Sequence, residues 1–346
     1  MALPRIHTRS LPLLQSCAQF PFKPPISPYS PTKRHSSTLN VASARAYCLD
    51  LLRKHDKPSH LLSVFQPSYS KDTYLSLRAF NTETSLIPDQ VSNTTLGRLR
   101  INFWRDNLTK LFSPPPPAHH YTPPAEPTLL LLSHAVHANH AKLTKGFLTR
   151  VLAEREKYLG NVPFRNMQDL EAYAEGTYAS LLYATLEGLG LRDTGLDHVA
   201  SHVGKAEGIV AVIRGLAVLA RVEEGGAVVL PLDLCAEVGL RQEDVLRRAQ
   251  GRGSGDDGED AVGRLKEVVF RIATLANDHL ITARKMVAEE PTARGVAFSG
   301  FMRAVPTAIY LERLERVDFD PFDNRLQRPD WKLPWRAYRA YTTRRF

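Results

Sequence analysis

The stretch HVGKAEGIVAVIRGLAVLARVEEGGAVVLPLD, residues 202–233, decides how the chain is read. Its apolar run predicts one long helix from about His202 to Ala220. A Glu-Glu-Gly-Gly turn at 223–226 ends it, and extended chain follows through Val228-Val229-Leu230-Pro231-Leu232-Asp233. On such a helix Gly208, Ala211, Gly215 and Leu219, spaced 3, 4 and 4 apart, share one face. That face offers no carboxylate, amide or hydroxyl. Small residues at Gly204, Gly208, Ala211 and Gly215 predict close approach of a neighbouring element. On that reading Gly208→Leu overpacks the helix, and Gly215→Asp buries an unpaired carboxylate. Lys205 and Arg214 stand beside the stripe as cations that would attract a phosphate or pair with an acid.

A second stretch, SYSKDTYLSLRAFNTETSL from Ser68 to Leu86, predicts another helix, with Tyr74, Leu77, Ala79 and Phe80 on its apolar stripe. Within it Asn81 and Ser85 share a face, whereas Glu83 points away from it. The two stretches together resemble the two signatures of the squalene/phytoene synthase family. Arg214 keeps the family's Arg, and Leu230-Pro231-Leu232-Asp233 keeps the motif downstream of the second signature. Leu170, Tyr173 and Gly176 match the segment before it. Gly208 stands where the family has Gln and Ala211 where it has Asn. Asn81, Ser85, Gly215 and Leu219 stand where it has metal-binding Asp. The resemblance implies a prenyl-diphosphate synthase fold, whose active members use magnesium held by such carboxylates to ionise an allylic diphosphate. It also implies that this chain is a pseudoenzyme with no cofactor and no bound metal. Arg78, Asn81, Ser85, Lys205, Gly208, Ala211, Arg214, Gly215 and Leu219 would then line a vestigial pocket.

Composition narrows the function classes. The chain has 346 residues, 43% hydrophobic content and a net charge of +9. Five of those charges, Arg5, Arg9, Lys23, Lys33 and Arg34, lie in an acid-free leader, so +4 remains beyond it. The basic balance therefore belongs to the leader and does not point to nucleic acid. Rich in Ser and Pro and lacking a continuous apolar core, residues 1–40 resemble a mitochondrial transit peptide cleaved near residues 36–42. Cys17, Cys48 and Cys235 share no close spacing, so neither a disulfide framework nor a zinc site is expected. No run of 18 apolar residues exists, and no helix is expected to span a membrane.

The remaining elements follow from period and punctuation. Helices are expected over 41–55, 94–112, 129–140, 143–159, 164–189, 261–289 and 298–316, the last with Pro306 starting or kinking it. A Pro-rich surface loop is expected at 113–127 and a flexible acidic, Gly-rich insert at 251–260. His134, His137 and His140 drift around a helix without an accompanying acid and are not expected to form a metal site. Tyr173, Tyr178 and Tyr183 are expected to line core or cavity. The tail WKLPWRAYRAYTTRRF spaces Trp331, Trp335 and Tyr338 by 4 and 3 amid basic residues, either as an interfacial membrane foot or as a terminal helix packed on the domain. With no recurrent strand alternation, residues 41–346 read as one all-α bundle around a central cavity.

Several blocks resemble one branch of that superfamily, the complex I assembly factor 6 group. These are Ala44-Arg45-Ala46-Tyr47-Cys48, Leu77 to Asn81, Arg100 to Trp104, Ala153 to Glu156, His202 to Ile209 and Arg316 to Asp320. The resemblance implies a matrix protein peripherally associated with the mitochondrial inner membrane. Its partners would be subunits or other assembly factors of NADH:ubiquinone oxidoreductase. Two alternatives stay open from the residues: an active magnesium-dependent prenyl transferase, and a protein that binds an isoprenoid or lipid without turnover.

Overall fold

Polar caps and apolar stripes cut the chain into helices, and no strand occurs among the described residues of the computed structural model, which are 40–113, 126–137, 142–222, 225–251 and 256–346. The leader up to residue 39, the body of the Pro-rich loop, Glu223-Glu224 and His140 lie outside them. The first helix, α1 (Val41–His55), starts on a capping box in which Asn40 and Ser43 each satisfy the other's backbone N–H. Asp56 ends α1 and caps α2 (Lys57–Leu62), its side chain accepting from the Ser59 N–H. Then come α3 (Lys71–Ser85) and α4 (Thr94–Phe112), the latter capped by Asn93. Next are α5 (Pro127–His137) and α6 (Lys145–Lys157).

The expected helix over 164–189 is a composite. α7 (Met167–Ala174) runs through a π-helical turn, Glu175–Ala179, into α8 (Ser180–Gly188). α9 spans Thr194–Leu219 and so begins eight residues before His202, because Asp193 caps it by accepting from the Leu196 N–H. The segment expected to be extended to Asp233 is irregular only as far as Pro231. Leu232 and Asp233 already belong to α10 (Leu232–Val238), and their N–H groups donate to Phe164 and Arg165 carbonyls. α11 (Gln242–Ala249) follows, and α12 (Asp256–Glu289) begins inside the insert that was expected to be flexible.

The helix expected over 298–316 is broken into α13 (Phe298–Phe301) and α14 (Ala304–Glu315). Pro306 supplies the reason: it has no N–H to donate to the Met302 carbonyl, and it sits in the first turn of α14 where that loss costs little. Asp318 and Phe319, both at positive φ (53° and 57°), end the helical run. α15 (Asn324–Gln327) and α16 (Leu333–Thr343) complete the chain.

The core forms two clusters. The larger gathers α9 (Val199, Val203, Ile209, Ile213, Leu216) and α12 (Val268, Val269, Ile272, Leu280) with α1, α14 and α16. The smaller joins α3, α4, α5, α6 and α8 around Phe80, whose ring meets Trp104 edge-on at 5.3 Å. α3 and α9, which carry the two signature stretches, are both largely buried.

Candidate functional site

The two signature helices meet through charge. Arg78 of α3, 3% exposed, projects from a helix whose other neighbours are mostly buried. Its Nη2 donates to Glu207 Oε1 of α9 at 3.0 Å and to Asp56 Oδ2 at 2.8 Å, and its Nε donates to Ser59 Oγ at 2.8 Å. Arg303, in the break between α13 and α14, donates to Glu207 Oε1 from Nη2 at 2.7 Å and from Nε at 3.0 Å. Its Nη1 lies 3.7 Å from Asp56 Oδ1. Two guanidinium groups therefore face two carboxylates in the protein interior, and the set is electrically balanced. Burial alone would push the Asp56 carboxyl up, but Arg303, Arg78 and the Ser59 hydroxyl outweigh it and hold it far below the usual range. Arg78 is likewise raised: burial works against its charge, and Glu207 and Asp56 overcome that.

A third buried guanidinium occupies the first signature directly. Arg155 of α6, 6% exposed, donates from Nη1 to the Asn81 carbonyl at 2.8 Å and from Nη2 to Asn81 Oδ1 at 2.5 Å. The same group reaches the Thr84 hydroxyl. The side chain at the position expected to face a metal is thus already engaged by a cation. Ser85 is exposed, and its hydroxyl donates back to the Thr82 carbonyl at 2.9 Å. Arg155 leaves no room electrostatically for a divalent ion at Asn81, and no group of three or more His, Cys, Asp or Glu side chains suited to a metal exists among the described residues. These residues do not fit magnesium.

The small-residue stripe on α9 splits in two. A Cβ on Gly204 would fall 2.3 Å from Ala179 Cα, and one on Gly208 would fall 2.5 Å from Ala174 Cβ. These two glycines let the π turn and α7 press directly on α9. Farther along, Ala211, Gly215 and Leu219 are half-buried, and a Cβ on Gly215 would meet nothing within 4 Å. The expectation that an aspartate there would be buried is therefore corrected: this face of α9 is open beside Gly215, although Ile213, Leu216 and Ala217 on the other faces stay in the core. Lys205 pairs with Glu171 at 2.9 Å, and Arg214 is exposed, 6.0 Å from the Tyr310 ring centre. Neither stands with Arg78 and Arg303 in the buried cluster.

Of the nine pocket candidates, the structure brings Arg78 and Asn81 into buried polar networks and leaves the rest out of them. Asp56, Arg155, Glu207 and Arg303 are the members that sequence reading missed. Their one signal was a charge set among core-spaced apolar residues, as Glu207 is between Val203 and Val210. Of the tyrosines, Tyr183 donates to Glu175 Oε1 at 2.5 Å, and burial pushes Tyr178 up to about 12. Cys48 and Cys235 are buried, and burial pushes their thiols to about 12 and about 11, which removes them as nucleophiles.

An all-helical array of this kind, its signature helices joined by the Arg78–Glu207 pair, matches the all-α isoprenoid synthase class. A dehydrosqualene synthase crystal structure in complex with ligand superposes with a TM-score of 0.66 at 15% identity, over 88% of this chain and 97% of that one. The squalene synthase HpnC from Alicyclobacillus acidocaldarius gives 0.61 at 14% identity, over 82% and 97%. The squalene/phytoene synthase family matches residues 52–339. "NADH dehydrogenase (ubiquinone) complex I, assembly factor 6" of Bos taurus is 38% identical over 304 residues, 87% of this chain and 83% of the relative. The Homo sapiens protein of that name is 36% identical over 328 residues, 91% of each chain. The chain belongs to the complex I assembly factor 6 family, the squalene/phytoene synthase-like proteins bearing that name.

Proposed function

We propose that this protein is a non-catalytic assembly factor for respiratory complex I, built on a prenyl-synthase fold in which the metal and diphosphate chemistry has been replaced by internal ion pairs. The assembly role rests on the shared name of its relatives. The absence of turnover rests on one observation: the signature helices are bridged by Arg78, Glu207, Arg303 and Asp56, while Arg155 holds Asn81. In such a centre the charges of Arg78, Arg303, Glu207 and Asp56 cancel, Arg155 donates to Asn81 and Thr84, and no carboxylate pair stands at positions 81 and 85 for the ion that would accompany a diphosphate. Residues 1–40 act as a mitochondrial leader, and the remainder works in the matrix on complex I subunits or other assembly factors.

Incubating the purified chain with magnesium and farnesyl or geranylgeranyl diphosphate tests the first half. Phosphate release should stay at background, and turnover of about 1 per second or more, ordinary for enzymes, would restore the transferase reading. Complex I abundance in cells lacking the protein tests the second half, and a normal level would remove the assembly role.

A further inference from the structure

The end of the chain carries a surface that the balanced interior does not explain. Leu333, Ala337 and Ala340 of α16 face the core, and Tyr341 stacks against Phe65 at 5.0 Å. Arg336 grips Glu312 through two bonds of 2.6 Å, and Arg284 donates to the Phe346 carbonyl at 2.8 Å. The helix is thus pinned in one rotation about its axis. That rotation turns its aromatic residues outward: Trp335 is 67% exposed and Tyr338 56%, with Trp331 at 81% just before the helix. Arg328, Lys332, Arg339 and Arg345 are exposed around them and make no ion pair among the described residues. Asp330 is the single acid from Arg328 to the end of the chain, and its side chain accepts from the Lys332 N–H.

We propose that this face of α16, with Trp331 beside it, docks on an anionic lipid bilayer. Large amphipathic rings held outward bury water-exposed apolar area in the headgroup layer, where Trp and Tyr are enriched. The cations beside them, which have no carboxylate partner although Lys332 lies 5.4 Å from the Trp331 ring centre, are drawn to anionic headgroups over the Debye length. No helix among the described residues is long and apolar enough to cross a membrane, so attachment is by this surface and reversible. The inference stands apart from the assembly role and can fail without it.

The test is flotation of the full chain with vesicles of phosphatidylcholine, alone or with about one-third phosphatidylglycerol. The chain should float with the anionic vesicles and at least about tenfold less with the neutral ones. Lys332→Ala and Arg339→Ala should each weaken binding about fivefold. Trp335→Ser/Tyr338→Ser should abolish it without lowering the melting temperature, which separates lost docking from lost folding. Equal flotation of that double variant, or equal recovery with neutral vesicles, would overturn the proposal. So would binding of soluble polyglutamate without any flotation, an outcome that would assign the face to an acidic protein.

Discussion

The buried junction of α3 and α9 and the outer face of α16 use similar residues in opposite ways. In the junction, Arg78 bonds Glu207 and Asp56 and Arg303 bonds Glu207, so the four charges cancel among themselves. On α16, Arg339 and Lys332 meet no carboxylate, and Trp335 meets mostly water. Charges matched inside the chain hold it together; charges and rings left unmatched on a rigid surface are available to something else.

The largest effect should come from unbalancing the centre. Glu207→Ala leaves two buried guanidinium groups short of a carboxylate and should cost about 3–5 kcal/mol in urea unfolding. Replacing Arg78, Glu207 and Arg303 together with apolar residues of similar volume should cost far less, because the desolvation penalty disappears with the charges. Close packing comes next. Gly204→Ala, forced against the Ala179 backbone, should destabilise by about 1–3 kcal/mol, whereas Gly215→Ala, with open space beside it, should be neutral or stabilising by up to about 1 kcal/mol. If both cost the same, the two halves of the α9 stripe are not different environments.

Acid sensitivity should be smaller and should divide by region. His202 and His279, 2.9 Å apart between Nδ1 atoms, are both lowered, by burial first and by neighbours including Lys205. A histidine with a depressed folded value contributes its full stability above its ordinary value near 6.5 and loses it as pH falls below that. Stability should therefore start to fall below about pH 6.5. His279→Gln should flatten that limb. Asp56, also depressed, contributes above the ordinary carboxylate range, and its share should be lost only below about pH 4. Smallest of all, Trp335→Ser should change stability by no more than about 0.5 kcal/mol, since its ring is already outside.

The helices were legible because their apolar periods are long and their caps are ordinary: Asn93 before α4 and Asn166 before α7 stand where the pattern asks for them. The limits lay where three-dimensional partners decide. Nothing local in GFMRAVP says that Pro306 breaks the helix so that Arg303 turns inward to Glu207, 96 residues earlier. Nor does the sequence say that Gly208 is gripped by α7 while Gly215, on the same stripe, is open. The residues at the metal positions could be read directly, but what engages them could not, because a hydrogen bond needs both partners and the chain separates Arg155 from Asn81 by 74 residues.

The central claim, that internal ion pairs have taken the place of metal and diphosphate, is tested most directly by ligand-dependent melting. The full chain is heated with and without magnesium and a non-hydrolysable farnesyl diphosphate analogue. A ligand that binds only the folded state raises the midpoint as its concentration rises, by about 2.7 kcal/mol at one hundred times its dissociation constant. The account predicts no shift at any concentration of the pair. A rise that depends on both magnesium and the analogue, and vanishes in Arg78→Met, would contradict it.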